Sequence, residues 1–366
     1  MNNLAKKRIG FITSGVGVGG AEKQLAILAQ SLKSCGYEVI LISLTRPSQA
    51  NHLTDFDGLD VNFVEMNTFF KVVIGVFRIR KAFAKLNPDY IHGWMFAGNI
   101  IASLVGLMFG YKFFHSIRAS NMDQKRYRFQ IFFNRLFSYF ALAVISNSYR
   151  GTDYCVSVGF SKKNMLVIPN GINTEEFYKC EAERFEIRKS LGIDQNARVL
   201  LYAARVDPMK GHDLILSLAE TFPQTIFIIV GQGTEYLNVS TNVIALGLRR
   251  DMRKIYNAAD WLISLSNYGE GFPNVIGEAM ACGLPVFANE IGDSWRIIGS
   301  LGVKSVGVNA QEISVEVKKV LETKPTVFSA DECSSRISSN FSVNHMVAAY
   351  VGLYERPNWP KAIELK

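Results

Sequence analysis

The chain has 366 residues, of which 48% are hydrophobic, and its formal net charge is +8. This length is sufficient for two domains of ordinary size, and the apolar content excludes a disordered or low-complexity chain. The five cysteines are scattered without a C-x-x-C pair, which argues against a zinc site or a disulfide framework and is typical of a reducing cytoplasm.

The positive charge is concentrated in the N-terminal half. Residues 1–170 contain 20 Lys and Arg against 9 Asp and Glu, a net charge of +11, whereas the remainder has 20 against 23, a net charge of −3. A basic half predicts an anionic partner such as a membrane surface or a phosphorylated substrate. Because no zinc finger, RNA-binding signature or helix-turn-helix spacing is visible, we expect no nucleic-acid partner.

The chain opens with an apolar strand, residues 8–14, that leads into a glycine-rich loop and an amphipathic helix, and no signal-peptide pattern is visible. The loop contains Gly15, Gly17 and Gly20, a literal G-x-G-x-x-G, which in many α/β proteins binds the diphosphate of a dinucleotide. That fingerprint needs an acidic residue after the second strand, where this sequence has Arg46. Since an arginine accommodates the 2′-phosphate of NADP, an NADP-dependent oxidoreductase is one alternative function.

Strands and helices alternate through residues 61–147, as expected for a parallel sheet with helices on both faces. The apolar stretch 94–110 is predicted to be a buried helix rather than a membrane span, because apparent strands flank it. Asp55 and Asp57 form a D-x-D in a polar loop without a neighbouring histidine or third carboxylate, so we expect no metal site there.

Two histidines close neighbouring predicted strands. His115 ends one of them and His92 ends the other, and the polar residues Arg118 and Asn121 follow His115. Ligands of open parallel sheets lie at the carboxyl ends of the strands, so either histidine is a candidate for contact with a substrate. We favour His115 over His92, and a structural histidine with satisfied hydrogen bonds is the open alternative.

Two predicted helices combine basic and aromatic residues, a composition that suits the interface of an anionic bilayer. A solvated helix face over an ordinary core is the open alternative. The basic residues are Arg78, Arg80, Lys81 and Lys85 in the first helix and Lys125, Arg126, Arg128 and Arg135 in the second, where Phe129, Phe132 and Phe133 are interleaved with them.

A domain boundary is predicted near residue 173, because Pro169 and Gly171 end a strand and a polar, charged stretch follows. A new strand at 198–205 then leads through a short loop into a helix. Arg205 and Lys210 lie in this strand-to-helix loop, where both cations can contact one diphosphate with helix amides beneath it. Two surface cations without a ligand are the alternative interpretation.

The most informative stretch is Glu270–Gly283, EGFPNVIGEAMACG, in which two carboxylates flank a Gly-Phe-Pro-Asn turn. Pro273 and Asn274 lie where a helix would start. Backbone N–H groups and the positive end of a helix dipole would therefore lie beside Glu270. Such a site suits a ligand with an anionic end and a hydroxyl-rich end, and a nucleotide-sugar fits that description. An ordinary βα unit with two surface glutamates is the alternative.

The pattern E-G-F-P-N-x-x-x-E-A-M-A-C-G-x-P-V resembles the E-x7-E signature of the retaining glycosyltransferases of family 4. G-G-A-E at 19–22, V-I-P-N-G-I at 167–172 and V-G-x-G at 230–233 are similar to further motifs of that family. The resemblance implies two doubly wound, Rossmann-like α/β domains facing across a cleft, the GT-B architecture. It implies an acceptor-binding, membrane-facing domain at 1–173, a nucleotide-sugar-binding domain at 174–341, and at 342–366 a helix that packs back toward the first domain, with a tail.

The resemblance also implies roles for individual residues in the transfer of a sugar with retention of its anomeric configuration. Glu278 would accept from ribose hydroxyls and Glu270 from hydroxyls of the donor sugar. Arg205 and Lys210 would neutralise the departing diphosphate, and His115 would lie near the transferred sugar. Further donor-binding residues are implied at Gly19, Gly20, Gly231, Gly233, Gly247, Gly271, Phe272, Pro273, Asn274 and Val275, and acceptor-side residues at Glu22, Arg118 and Asn121.

The expected donor is a UDP-sugar, and no metal or cofactor is expected because fixed cations supply the positive charge. The expected acceptor is a lipid-linked glycan or another saccharide precursor of a surface polysaccharide or lipopolysaccharide. The basic N-terminal domain would then hold the protein, as a peripheral cytoplasmic protein, on the inner face of the cytoplasmic membrane. A non-catalytic nucleotide-sugar-binding protein is the second alternative.

Overall fold

The computed structural model describes residues 7–17, 19–47, 50–66, 69–118, 127–307, 309–323 and 327–356. Two compact units divide the chain, one formed by Met1–Gly171 with Val343–Lys366 and the other by Ile172–Ser342. The sequence-based boundary near residue 173 lies two residues beyond the last residue of the first segment. Asn121, Lys125 and Arg126 lie outside the described residues.

The first unit is built on a seven-stranded parallel sheet with the strand order β3-β2-β1-β4-β5-β6-β7. The strands are β1 (Arg8–Thr13), β2 (Glu38–Ser43), β3 (Val61–Phe63), β4 (Tyr90–Trp94), β5 (Phe113–Ile117), β6 (Val144–Ser146) and β7 (Met165–Val167). The helices between them are α1 (Gly20–Ser34), α2 (Phe69–Leu86), α3 (Met95–Phe109), α4 (Arg128–Ser138) and α5 (Tyr149–Ser157).

Helices cover both faces of this sheet, which explains why its strands read as continuous apolar runs. Successive residues of β1 enter different cores: Phe11 packs with the apolar stripe of α1, and Ile12 packs with residues of α2, α3 and α4. The stretch that the sequence analysis assigned to a buried helix forms β4's last residue and α3. Among the described helices, none is both long enough and apolar enough to cross a membrane.

The second unit has a six-stranded parallel sheet with the strand order β10-β9-β8-β11-β12-β13. Its strands are β8 (Val199–Ala203), β9 (Ile226–Val230), β10 (Val243–Ala245), β11 (Trp261–Ser264), β12 (Val286–Ala288) and β13 (Gly302–Lys304). Its helices are α6 (Glu181–Ser190), α7 (His212–Thr221), α8 (Met252–Ala258), α9 (Asn274–Ala281), α10 (Ser294–Ile298), α11 (Ala310–Glu322) and α12 (Ala330–Asn340).

The C-terminal helix α13 (Val343–Glu355) returns to the first unit. Its side chains Met346, Tyr350 and Tyr354 are buried in the core that also contains the stripe of α1. Complete burial of a large apolar side chain contributes about 1.5–3 kcal/mol, so these contacts fix the helix on the sheet. The first unit is therefore discontinuous in sequence, with its last helix following the whole of the second unit.

Both sheets contain a point where the chain reverses the direction in which it adds strands. In the first sheet β1 lies between β2 and β4, and in the second β8 lies between β9 and β11. In open parallel sheets, ligands bind beside the carboxyl ends of the strands at such a switch point. The two places to search for function are therefore the carboxyl edges next to β1 and next to β8.

Candidate active site

The carboxyl edge of the second sheet brings together two charged residues that are distant in sequence. Lys210 follows β8 and Glu270 follows β11, and these strands are hydrogen-bonded neighbours. Lys210 Nζ donates a hydrogen bond to Glu270 Oε1, and Ser266 Oγ donates to the same oxygen over 2.8 Å. The two charged side chains keep 19% and 17% of their surface exposed. A ligand can therefore reach the pair without local unfolding.

The loop before Lys210 is held in one conformation. Asp207 Oδ1 accepts a hydrogen bond from the Met209 amide over 2.9 Å, and the hydroxyl of Tyr202 donates to the carbonyl of Lys210. Burial alone would raise the pKa of Asp207, but hydrogen bonds from Met209 N–H and the Arg205 guanidinium outweigh it and hold that pKa below its usual value. Asp207 therefore stays ionised as the cap of this turn.

Arg205 lies in the loop between β8 and α7, where the sequence pattern places it. Its guanidinium lies 3.2 Å from Asp207 Oδ2, and 56% of the side chain is exposed. A surface ion pair of this kind is worth about 0–1 kcal/mol, so the guanidinium can exchange its partner for a phosphate at little cost. Its convergence with Lys210 on one diphosphate stays a prediction.

Glycines shape the backbone beside Arg205. Gly231 has a φ of +146°, and a Cβ at this position would lie 2.1 Å from the carbonyl oxygen of Ala204. Gly231 N–H donates to Gly247 O over 2.8 Å, while the Thr234 hydroxyl links the two turns by donating to Gly231 O and accepting from Gly247 N–H. With Gly233 (φ +90°), these residues form a tight turn structure at the ends of β9 and β10.

Glu278 lies on α9, which begins at Asn274 directly after Pro273, where the sequence places a helix start. Its Oε2 accepts a hydrogen bond from the hydroxyl of Tyr256 over 2.8 Å. Burial and the nearby Glu278 carboxylate raise the pKa of Tyr256 well above its ordinary value, so this hydroxyl keeps its proton and stays a donor. Tyr256 therefore orients the second carboxylate of the motif, a role that could not be predicted from the sequence pattern.

The turn between the two carboxylates packs against the loop that contains Gly292 and Asp293. Asp293 N–H donates to the carbonyl of Gly271 over 2.9 Å. A Cβ at Gly292 would lie 2.4 Å from that carbonyl oxygen, so only glycine fits beside it. Gly271, Phe272 and Pro273 are buried, and Asn274 and Val275 are partly exposed in the first turn of α9. The structure thus places Glu270, the GFPN turn and the first turn of α9 in one continuous rigid segment.

In the first unit, the predicted strand end at His115 is wrong, whereas the predicted contact of His115 with the sugar stays a prediction. β5 continues to Ile117, so His115 lies in the middle of the strand. The side chain is completely buried, and its Nε2 shares a hydrogen bond of 2.7 Å with Ser103 Oγ. Burial lowers the pKa of His115 to about 3, so the ring is neutral. In this structure the His115 side chain lies beneath α3 and is not exposed.

His92, the competing candidate, is buried for the same reason, in the middle of β4. Its Nδ1 lies 2.7 Å from the Tyr354 hydroxyl and its Nε2 lies 2.8 Å from Ser116 Oγ. These contacts join β4, β5 and α13. Its role in this structure is to connect the C-terminal helix to the sheet.

The glycine-rich loop after β1 gives no support to the dinucleotide alternative. Arg46 pairs with Glu65 over 2.9 Å and lies over the ring of Phe63, and both charged side chains are exposed. Gly19 and Gly20 precede and begin α1, and Glu22 folds back over Gly19, where a Cβ would lie 2.3 Å from Glu22 Oε2. Gly19, Gly20 and Glu22 therefore form one compact helix N-terminus.

Two family models match the chain. The one described as Glycosyltransferase Family 4 matches residues 18–176, and the one described as Glycosyl transferases group 1 matches residues 183–334. Each model thus lies within or close to one of the two units.

Among curated proteins, the alpha-galactosylglucosyldiacylglycerol synthase of Streptococcus pneumoniae is 25% identical over 372 residues, which cover 96% of this chain and 90% of that protein. The D-inositol 3-phosphate glycosyltransferase of Mycolicibacterium smegmatis is 26% identical over 209 residues, covering 52% of this chain and 47% of that protein.

Solved structures resemble the whole chain. The crystal structure of HepE from Anabaena in complex with UDP-glucose aligns with a TM-score of 0.84 at 19% identity, covering 95% of this chain and 99% of that one. The structure of WaaG, a glycosyltransferase involved in lipopolysaccharide biosynthesis, aligns with a TM-score of 0.71 at 16% identity, covering 94% and 99%. At these identities the likeness shows the fold, and it confirms the predicted pair of Rossmann-like domains of the GT-B class.

Proposed function

Because the chain belongs to the family 4 glycosyltransferases, we propose that it transfers a sugar from a UDP-sugar to a lipid-linked or other surface-polysaccharide acceptor. The anomeric configuration of the sugar would be retained. The single observation that supports the donor site best is the partly exposed Lys210–Glu270 pair at the switch point of the second sheet. The similar HepE structure holds UDP-glucose, which supports a UDP-sugar as donor.

In the proposed reaction, the bond between the anomeric carbon and the diphosphate oxygen breaks, and the diphosphate leaves with the electron pair. The acceptor oxygen forms the new bond to the same carbon, and its proton leaves with the departing diphosphate. Negative charge therefore grows on the diphosphate in the transition state. Lys210 and Arg205 would stabilise it as fixed cations, so the reaction needs no metal ion.

The two carboxylates would bind the two ends of the donor. Glu270 would accept hydrogen bonds from hydroxyls of the transferred sugar, and it also holds Lys210 in place until the diphosphate arrives. Glu278, oriented by Tyr256, would accept from the ribose hydroxyls. The first turn of α9 would present its N–H groups to the sugar and diphosphate.

The acceptor would bind the first unit. The name of the pneumococcal relative describes the synthesis of a galactosylglucosyldiacylglycerol, which supports a lipid-borne acceptor. The outer surfaces of α2, α3 and α4 carry exposed apolar side chains, which typically mark sites of protein or membrane interaction. These side chains are Val73, Ile74, Phe77, Leu107, Met108, Phe129, Phe132, Phe133 and Leu136.

Exposed cations accompany this apolar surface, as an anionic membrane requires. Arg78, Lys81 and Lys85 lie on α2, and the guanidinium groups of Arg128 and Arg135 lie over the rings of Phe129 and Phe132. We therefore propose that this surface docks on the anionic inner face of the cytoplasmic membrane. Substituting both Phe132 and Phe133 by serine should reduce co-sedimentation with phosphatidylglycerol vesicles, because two buried phenyl rings contribute about 1.5–3 kcal/mol each.

The decisive experiment for the reaction is a turnover assay with UDP-glucose, UDP-galactose and GDP-mannose, with lipid extracts as acceptors. Release of UDP together with a glycosylated lipid is the expected result. A protein that is stabilised by UDP-sugars but turns none of them over would contradict the enzymatic proposal and favour a binding protein.

A further inference from the structure

Arg118 lies at the carboxyl edge of the first sheet, directly after β5, in an unusual electrostatic environment. Its guanidinium stacks on Trp94, 3.6 Å from the ring centre. It donates hydrogen bonds to Asn170 Oδ1 over 3.1 Å, to Ser116 Oγ over 3.3 Å and to the hydroxyl of Tyr350. All of these acceptors are neutral. Within the described part of the chain, Arg118 has no carboxylate partner, and its Nε is buried without a hydrogen bond.

Arg118 is partly exposed, and a second arginine, which is buried, shows how this chain pairs a guanidinium that has a structural role. Arg188 is completely buried, and its guanidinium lies 3.2 Å from Asp260 Oδ1 while donating to several backbone carbonyls. A buried charge is normally paired in this way, because desolvation without an opposite charge is costly. Burial lowers the pKa of Arg118, which reflects the same cost. A structural role in holding Tyr350 would explain one hydrogen bond of Arg118. It would not explain why the described partners of Arg118 include no carboxylate.

A buried acceptor without a partner lies beside this cation. Asn147 follows β6 and is 3% exposed, and its Oδ1 has no hydrogen-bond donor. The β5–β6 register pairs Ile117 with Ser146, and Asn147 N–H donates to Ile117 O over 3.2 Å. Arg118 and Asn147 are therefore the next residues at the ends of two neighbouring strands. Buried polar atoms without partners are rare, and two at one ligand-binding edge call for a ligand that satisfies both.

We propose that Arg118 and Asn147 form a site for an oxyanion that carries a neighbouring hydroxyl, and that this group belongs to the acceptor. The planar guanidinium suits a phosphate or carboxylate, and the amide oxygen of Asn147 accepts from the hydroxyl. The assignment to the acceptor depends on the proposed function, because it places the acceptor on the first unit. The oxyanion site itself does not depend on the reaction.

The test measures anion binding by the full-length protein carrying Lys210→Ala, which removes the donor-site cation. Thermal unfolding is followed during titration with inorganic phosphate, glucose 1-phosphate and glucuronate at constant ionic strength. All variants are made in this background. Arg118→Lys keeps the positive charge but loses the planar guanidinium, which can donate two parallel hydrogen bonds. Asn147→Asp places a carboxylate beside the guanidinium. Gln130→Glu, at an exposed position of α4 in the same unit, is the control for the added negative charge.

Phosphate is expected to raise the unfolding temperature of the parent, and glucose 1-phosphate to bind more tightly because it adds a hydroxyl. Arg118→Lys and Asn147→Asp should each weaken phosphate binding by at least about tenfold, and Gln130→Glu should not. Without any anion, Asn147→Asp should unfold at the same or a higher temperature than the parent, because it supplies the missing counter-charge. Tighter binding of glucose 1-phosphate would indicate a phosphorylated acceptor, and tighter binding of glucuronate would indicate an acceptor with a carboxylate.

Equal stabilisation of the parent, Arg118→Lys and Asn147→Asp by phosphate would overturn the inference, as would a parent that binds none of these anions. A lower unfolding temperature for Asn147→Asp without anion would also overturn it, because that result indicates a purely structural amide. Turnover of a UDP-sugar without anion binding contradicts only this inference. Anion binding at Arg118 in a protein without any turnover contradicts only the proposed function.

Discussion

The carboxyl edges of the two sheets have the same topology and opposite chemistry. In the second unit, Lys210 and Glu270 pair with each other in loops that solvent reaches. In the first unit, His92 and His115 are buried in the sheet, and the hydrogen-bond acceptors of Arg118 among the described residues are neutral. A switch point therefore locates a site without specifying its chemistry. The loops that follow the strands decide which charges the site presents.

The largest effect is expected from the charge pair of the second edge. Lys210→Ala should lower kcat by about 10²–10³, because it removes a cation from the group where charge develops. The rate of UDP release with saturating UDP-sugar is the measurement. Lys179→Ala is the matched control, since Lys179 also pairs with a glutamate, over 2.9 Å to Glu181, in an exposed position. Equal rates for the two variants would remove Lys210 from the reaction.

The next largest effect is a difference in stability between glycine substitutions in the loops of the two edges. Gly231→Ala should destabilise the protein by more than about 3 kcal/mol, because its Cβ would collide with a backbone carbonyl at a positive φ. Gly17→Ala, in the first-unit loop, has no heavy atom within 4 Å of the added Cβ and should change stability little. Urea unfolding of both variants is the measurement. Similar destabilisation of the two would show that the loop at Gly17 is as tightly packed as the one at Gly231.

A pH-dependent effect is expected from the sealed histidine of the first edge. Burial lowers the pKa of His115 from 6.5 to about 3, so between these values the unfolded chain binds a proton that the folded one does not. Stability from this group is therefore present above pH 6.5 and is lost as the pH falls toward 3, with a slope of up to about 1.4 kcal/mol per pH unit. His115→Gln should make the unfolding free energy less dependent on pH in this window. An unchanged pH dependence would contradict the buried neutral ring.

The smallest effect is expected from metal removal. If the cations of the second edge are sufficient, turnover should be the same before and after incubation with EDTA. Loss of turnover that Mg²⁺ or Mn²⁺ restores would show that the cations of the chain do not carry the diphosphate charge alone.

The fold and the donor motif could be predicted because both depend on contiguous patterns. Apolar strands alternate with amphipathic helices. The turn from Glu270 to α9 consists of consecutive residues, with a proline directly before the helix. The error in the strand end arose because His115 was taken as the last residue of the strand, whereas β5 continues through Ile117. Tyr256 and the environment of Arg118 could not be predicted, because their partners come from distant elements. Tyr350, for example, lies 232 residues after Arg118.

The most direct test of the central claim is the affinity of the protein for UDP, measured by isothermal titration calorimetry. The natural chain should bind UDP, and Lys210→Ala should weaken this binding by at least about tenfold. This is the expected effect of losing one charge-assisted hydrogen bond to the diphosphate. Equal UDP affinity in the two proteins would show that the diphosphate does not lie at the switch point of the second sheet.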